Sequence, residues 1–281
     1  MRAVVVGPDG TPVVTDVPEP DGPGEPVRIL ACGLCGSDVE KLTPGHAGAV
    51  LGHEVVGEAA DGRRVALVHH ASCGECARCL AGHESTCESF RASTIRPGGF
   101  AERVRTDGWV DLAGGLDDAR ATMVEPLACV LRGAERVPHG RVLVVGQGFV
   151  GRLFAAVLAR RGDEVFAIDS DPRRGGREPD GPVHAAVLCA PGGADVALDM
   201  LEPAGTLLVF ADAGPLDTAG VYHRELTVHG SRSATPIHME EAAALLPELD
   251  VPEPTVLPLE RFAEGLDLYR RGEALKVVFT P

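Results

Sequence analysis

No run in the 281 residues approaches the roughly 18 uninterrupted apolar residues of a membrane span. The opening MRAVVVGPDG turns at Gly7-Pro8 and lacks the apolar core and small-residue cleavage site of a secretory signal. A cytoplasmic protein without membrane contact is expected. No basic stripe is visible and the net charge is −15, which argues against a nucleic-acid partner. Lysine is almost missing, since Lys41 and Lys276 are the only two among 26 basic residues. With 35 glycines and 22 prolines, that skew reads as the mark of a GC-rich genome rather than of a function, but it leaves Lys276 to be explained. There is no internal repeat and no low-complexity tail.

Cysteine is present, and clustered. The eight fall at 32, 35, 73, 76, 79, 87, 129 and 189. In a chain of this length without a secretory signal, clustered cysteines point to metal before disulfides. The stretch CGECARCLAGHESTC sets Cys73, Cys76, Cys79 and Cys87 in a C-x2-C-x2-C-x7-C array. Four thiolates on one tight loop suit the closed tetrahedral coordination of a structural zinc. An iron–sulfur cluster also takes four cysteines, but its bacterial run has tighter final spacing and a following proline, absent here. A second set is dispersed: Cys35 in ACGLCGSD, His53 and Glu54 in LGHEVVGE, and Glu125 in VEPLAC. Catalytic zinc sites draw three mixed S, N and O ligands and keep one position open.

Residues 1–30 alternate short Val-rich runs with Pro/Gly turns, and 50–70 and 98–112 continue in the same way, as in an all-β region. From about residue 117 the pattern turns helical. RVLVVGQGFVGRLFAAVLARRGDEVFAIDSD then reads strand, glycine turn, helix, strand. Gly146, Gly148 and Gly151 form G-x-G-x-x-G around Phe149 and Val150, and Asp169 ends the next strand. Those glycines serve a tight turn, close backbone approach to a pyrophosphate, and helix–strand packing. A carboxylate at Asp169 can accept a ribose 2′-hydroxyl and would repel a 2′-phosphate, which favours NAD over NADP.

In this order, ACGLCGSD, LGHEVVGE, the four-cysteine loop, GGFAERV, VEPLACVLRG and VLVVGQGFVG resemble the zinc-containing medium-chain dehydrogenases/reductases, such as alcohol, sorbitol and threonine dehydrogenases. The resemblance covers essentially the whole chain. The glutamate of VEPLAC is similar to the polyol dehydrogenase branch. The resemblance implies that Cys35 is the catalytic ligand and Cys32 a packed neighbour. It implies that His53 binds the same zinc, that Glu54 stands beside it or enters its coordination sphere, and that Glu125 binds directly or through water. Ser37 matches the hydroxyl that relays the substrate proton. Where many members carry a histidine three residues later, this chain has Glu40, either a carboxylate base or a solvated charge. Arg174 resembles the basic residue flanking the adenosine ribose, and Lys276 the C-terminal basic residue that reaches the pyrophosphate.

The implied fold is α/β. A GroES-like, β-rich catalytic domain at 1–134 plus 253–281 carries one catalytic and one structural zinc. A reduced Rossmann domain, a doubly wound parallel sheet binding NAD, occupies 135–252, and the active site lies between the two. The departures are contractions. Between Asp169 and HAAVLCA there is little room for the usual helix and third strand, so the sheet edge beside the adenine should be trimmed. The implied activity is reversible oxidation of an alcohol to a carbonyl with hydride transfer to NAD. His69, His70 and Arg91 favour a polyol, sugar or cyclitol. A homodimer or homotetramer is expected. Two readings stay open beside it: a zinc-free enone or quinone reductase of the same fold, and a degenerate nucleotide-binding protein without catalysis.

Overall fold

A computed structural model describes residues 1–90 and 94–281. The chain divides into two compact units. The first comprises 1–128, 234–248 and 252–281, and the second 129–233 with 249–251.

The first unit opens on a hairpin of β1 (Arg2–Val6) and β2 (Pro12–Asp16). Its main sheet then takes β3 (Glu25–Gly33), β4 (Glu54–Ala59), β5 (Arg64–Leu67), β6 (Ile95–Arg96), β7 (Arg103–Thr106) and β8 (Trp109–Asp111). Helices α1 (Gly36–Glu40), α2 (Ala77–Leu80) and α3 (Asp118–Ala121) sit in the connections, and α4 (Val124–Ala134) carries the chain from the first unit into the second. Along β3, Val27, Ile29 and Ala31 are buried at the period of two that a strand with one covered face requires. Phe100, Phe262 and Phe279 lie with ring centroids 4.6 to 5.8 Å apart in the core behind it. Fully burying one such ring contributes about 1.5–3 kcal/mol.

The second unit is a five-stranded parallel sheet built from β9 (Arg141–Val145), β10 (Glu164–Ile168), β11 (Val183–Leu188), β12 (Leu201–Val209) and β13 (Thr227–Gly230). Between them run α5 (Phe149–Arg160), α6 (Ala194–Met200) and α7 (Thr218–His223). The strand order is β10-β9-β11-β12-β13. This is the doubly wound 3-2-1-4-5-6 order without its third strand. The short 170–182 spacing predicts that loss. The exposed side of β10 is covered differently: the Ala167 N–H donates to the Arg177 carbonyl at 2.8 Å, and the Arg177 guanidinium lies 4.5 Å over the Phe166 ring. A chain segment laid along an edge strand blocks its pairing with another molecule.

The return segment supplies α8 (Pro236–Leu245), β14 (Thr255–Pro258), α9 (Phe262–Arg270) and β15 (Val277–Thr280). The sequence grouped 234–248 with the parallel sheet. In the structure α8 packs on β8 and groups with the first unit. The two terminal strands complete the main sheet in the order β14-β15-β3-β4-β5-β8.

Candidate active site

The end of β3 is where the dispersed residues meet. Gly33 pairs with Glu54 of β4 on one side and with Val278 of β15 on the other. A Cβ on Gly33 would stand 2.1 Å from Glu54 Oε2 and 3.0 Å from Lys276 Cε, so only glycine leaves space for those two side chains. Cys35 follows as the N-cap of α1. Its Sγ, one ring nitrogen of His53 and one carboxylate oxygen of Glu54 all lie within 4.8 Å of one another.

Asp38 organises this cluster. Its side chain is buried, Oδ2 accepts from the Cys35 N–H at 3.2 Å, and Oδ1 accepts from the Gly52 N–H at 3.2 Å and from His53 Nδ1 at 3.1 Å. An ionised carboxylate only accepts, so Nδ1 carries the proton, which leaves Nε2 as the nitrogen that could meet a cation. Burial works against charge on His53, but Asp38 and Cys35 outweigh it and hold its pKa well above the usual histidine range. Burial likewise raises Asp38, and His53 with the two backbone amides brings it below the usual carboxylate range. This environment favours positive charge at His53, the condition a bound cation meets by displacing the proton.

Glu54 is ion-paired with Lys276, both fully buried, and Lys276 Nζ also donates to the Leu34 carbonyl at 3.2 Å. The sequence placed Lys276 at the cofactor pyrophosphate. Here its ammonium is turned inward, because it precedes β15 at the point where that strand joins β3. Ser37 Oγ donates to Cys35 Sγ at 3.5 Å, and Glu40 is exposed at the end of α1. Glu125 lies half-buried in the first turn of α4 and is not part of the 4.8 Å cluster.

Three residues beside the cluster were not assigned individual roles from sequence. Asp38 was visible only as part of the motif. The His69 ring lies 4.7 Å from that of His53, and His70 stacks 3.7 Å from His69 and 5.0 Å from Phe90. Burial, then the charges of His53, His70 and Lys41, push His69 down to about 2, so its ring stays neutral. Tyr269 Oη would stand 3.1 Å from a Cβ on Gly36. Burial, then the negative charges of Cys35, Glu54, Asp38 and Glu40, push its phenol up to about 12. Arg91 lies outside the described residues.

The four-cysteine loop closes as its spacing predicts. Sγ–Sγ separations are 3.4 Å for Cys76–Cys79, 3.5 Å for Cys73–Cys87 and 3.9 Å for Cys73–Cys79, and all four sulfurs fall within 4.8 Å. Backbone N–H groups of Cys76 and Cys73 donate to Cys73 Sγ and Cys87 Sγ at 3.3 and 3.4 Å. Amide donors bring Cys76 down to about 6, while burial and the neighbouring sulfurs push Cys79 up to about 12. The array thus combines an easily formed thiolate with protons that a cation would displace, and its donor set fits zinc.

In the second unit, Gly146 has φ +96° at the end of β9, and a Cβ on Gly151 would stand 1.8 Å from the Gly146 carbonyl oxygen. Gly148 caps α5, a 12-residue helix with no acid in its first turn, opened by Phe149, Val150 and Gly151. Its N–H groups and dipole suit an anion. Asp169 accepts from the Gln147 N–H at 2.6 Å and the Asp171 N–H at 2.8 Å, which fixes its carboxylate at the glycine turn. Arg174 Nη1 lies 4.0 Å from a Cβ position on Gly148, so a guanidinium faces the same turn.

The Alcohol dehydrogenase GroES-like domain family matches residues 25–112. The chain is 28% identical to sorbitol dehydrogenase of Halalkalibacterium halodurans, over all of this chain and 99% of that protein. It is 26% identical to L-galactonate-5-dehydrogenase of Escherichia coli, over 94% of each chain. It is similar in structure to the alcohol dehydrogenase of Thermus sp. ATN1, with a TM-score of 0.85, 26% identity and both chains covered in full.

Proposed function

The chain is a zinc-binding medium-chain dehydrogenase/reductase of the alcohol dehydrogenase type, and on that premise we propose that it reversibly oxidises a secondary hydroxyl of a polyol or sugar acid with NAD. The observation that carries this reading is the cluster of Cys35, His53 and Glu54, with one buried carboxylate, Asp38, bonded to both the Cys35 backbone and the His53 ring. The substrate class follows from the sorbitol and L-galactonate dehydrogenases to which the chain is similar.

A zinc ion supplies a Lewis acid that makes an alcohol more acidic, and a nicotinamide supplies the hydride acceptor. Cys35 and His53 would hold the ion, and Asp38 fixes the orientation of both. Glu54, tied to Lys276, places a neutralised carboxylate beside them, and Glu125 is the remaining candidate for completing the site. Ser37, hydrogen-bonded to Cys35 Sγ, would take the alcohol proton outward, and Glu40, exposed at the end of α1, is the candidate carboxylate to receive it. Cys73, Cys76, Cys79 and Cys87 would hold a second, structural zinc. The turn at Gly146, Gly148, Phe149, Val150 and Gly151 would hold the pyrophosphate. Asp169 would hold the ribose, where its charge would favour NAD, with Arg174 as the opposing charge. Self-association would use β13, the largely exposed strand at the edge of the parallel sheet.

The test is an initial-rate panel of polyols, sugar acids and simple alcohols with NAD and with NADP. Polyol- or sugar-acid-dependent reduction of NAD, with NADP slower and Asp169→Ser narrowing the gap, is the expected result. An enzyme that reduces enones or quinones and oxidises no alcohol would overturn the reading.

A further inference from the structure

We propose that Arg105, backed by Arg96, is the centre of a site for a small oxyanion, a phosphate or a carboxylate, on one face of the β6–β7 hairpin. Strand register gathers four arginines there. Arg96 of β6 lies directly opposite Arg105 of β7, Arg103 precedes Arg105 by two on the same strand, and Arg28 of β3 lies opposite Arg103. Side chains of directly opposed residues, and of residues two apart on a strand, leave a sheet on the same face. The alternate residues Val104 and Thr106 are buried on the other. The four are scattered in the sequence and meet only through that register.

Three of them have an acid of their own. Arg28 pairs with Glu58 at 2.9 Å and Arg103 with Glu19 at 2.6 Å. Arg96 is held most firmly: it grips both oxygens of Asp107 and donates from Nη2 to the Pro23 carbonyl at 3.1 Å. Gly24 leaves room for that reach, since a Cβ there would stand 2.8 Å from Arg96 Nη2. Arg105 is half-buried, and among the described residues it has no ion pair and no hydrogen bond. Its Nε is buried without an acceptor, as is that of Arg96. Like charges directly opposed across a strand pair destabilise it, and a buried donor without an acceptor costs stability as well. An ion is one of the physical answers to such a group. An oxyanion supplies both the missing charge and the missing acceptors, and the planar fork of a guanidinium matches the edge of a carboxylate or phosphate. The net charge of the chain is −15, so binding here depends on this patch and not on the field of the whole molecule.

The probes are inorganic phosphate and acetate, each compared with chloride at equal ionic strength, on zinc-replete wild type and Arg105→Met. Methionine keeps much of the apolar stem and removes the charge and the donors. The thermal midpoint of wild type should rise saturably with the anion, by about 2–5 °C at roughly tenfold above half-saturation. Whichever anion acts at the lower concentration identifies the ligand class. Arg105→Met should lose most of that rise. In chloride it should be no less stable than wild type, because one of two opposed like charges is gone. The N-terminus of α5 also suits anions, so the part of the rise that disappears with Arg105 is the part that tests the site. Should Arg105→Met fail to fold, hydrogen exchange of wild type locates binding directly, and the anion should slow exchange in the β6–β7 hairpin. No rise with either anion, a rise undiminished in Arg105→Met, or protection confined to the glycine turn would overturn the proposal. So would a variant destabilised by the same amount in chloride and in phosphate, the mark of a guanidinium that only packs.

Discussion

Asp38 shows how a single residue can hold a site together without being a ligand. It joins the backbone of Cys35 and Gly52 to the His53 ring, so that two candidate ligand positions 18 residues apart share one carboxylate. Asp38→Asn keeps the volume but removes the charge that fixes the His53 tautomer. Loss of such a partner costs about 10- to 100-fold in metal affinity or activity. Zinc retention under a chelator gradient measures it, and unchanged retention would leave Asp38 a simple helix cap. Lys276 and Glu54 offer a second residue-level test. Lys276→Met leaves the Glu54 carboxylate buried and unpaired, which should destabilise the protein by about 3–5 kcal/mol. The double substitution with Glu54→Gln should recover most of that loss in urea unfolding, and additivity of the two changes would contradict the pairing. Cys35 and His53 were legible in the sequence because their motifs carry them. The pairing of Lys276 with Glu54 was not, because it arises only when β15 is placed beside β3, across more than 200 residues.

At the scale of elements, local spacing carried what local geometry decides. The C-x2-C-x2-C-x7-C array predicts a closed four-sulfur loop, and the loop closes. The G-x-G-x-x-G turn falls between β9 and α5 as expected. The shortened 170–182 segment predicts the missing strand. Helix α8 groups with the first unit and not with the second as the sequence suggested, because helical periodicity places His238, Met239, Ala242 and Ala243 on one buried face but does not say which sheet that face will meet. One turn in the second unit carries a pH dependence. Asp163, between α5 and β10, accepts from the Gly140 N–H at 3.0 Å and Arg161 Nε at 2.6 Å. Burial raises its pKa, but Arg161, Gly140 and His139 lower it further, so the folded value lies below the ordinary one. Its stabilising contribution is therefore complete above the unfolded value of about 3.9 and is lost as pH falls through the lower folded value. Asp163→Asn should cost about 1–3 kcal/mol at neutral pH and flatten the stability curve below about pH 4. An acid limb identical to that of wild type would contradict this.

At the scale of the whole molecule, the chain is a contracted form of a longer design. Its alignment with the Halalkalibacterium halodurans sorbitol dehydrogenase runs over 345 positions against 281 residues here. The segment between β10 and β11 is short and holds no strand, and the glycine turn and both clusters are present in this chain. Net charge and the scarcity of lysine said little about function. Among the described residues no helix is long and apolar enough to cross a membrane. The central claim is that two zinc ions have separate roles and that only the one at Cys35 supports turnover. It is tested most directly by measuring zinc per chain and polyol-dependent NAD reduction on the same samples of wild type and Cys35→Ser. The account expects about two zinc ions and turnover in wild type, and a folded Cys35→Ser with about one zinc ion and no turnover. A Cys35→Ser protein that keeps its turnover, or a wild type fully active after its metal has been removed, would contradict it.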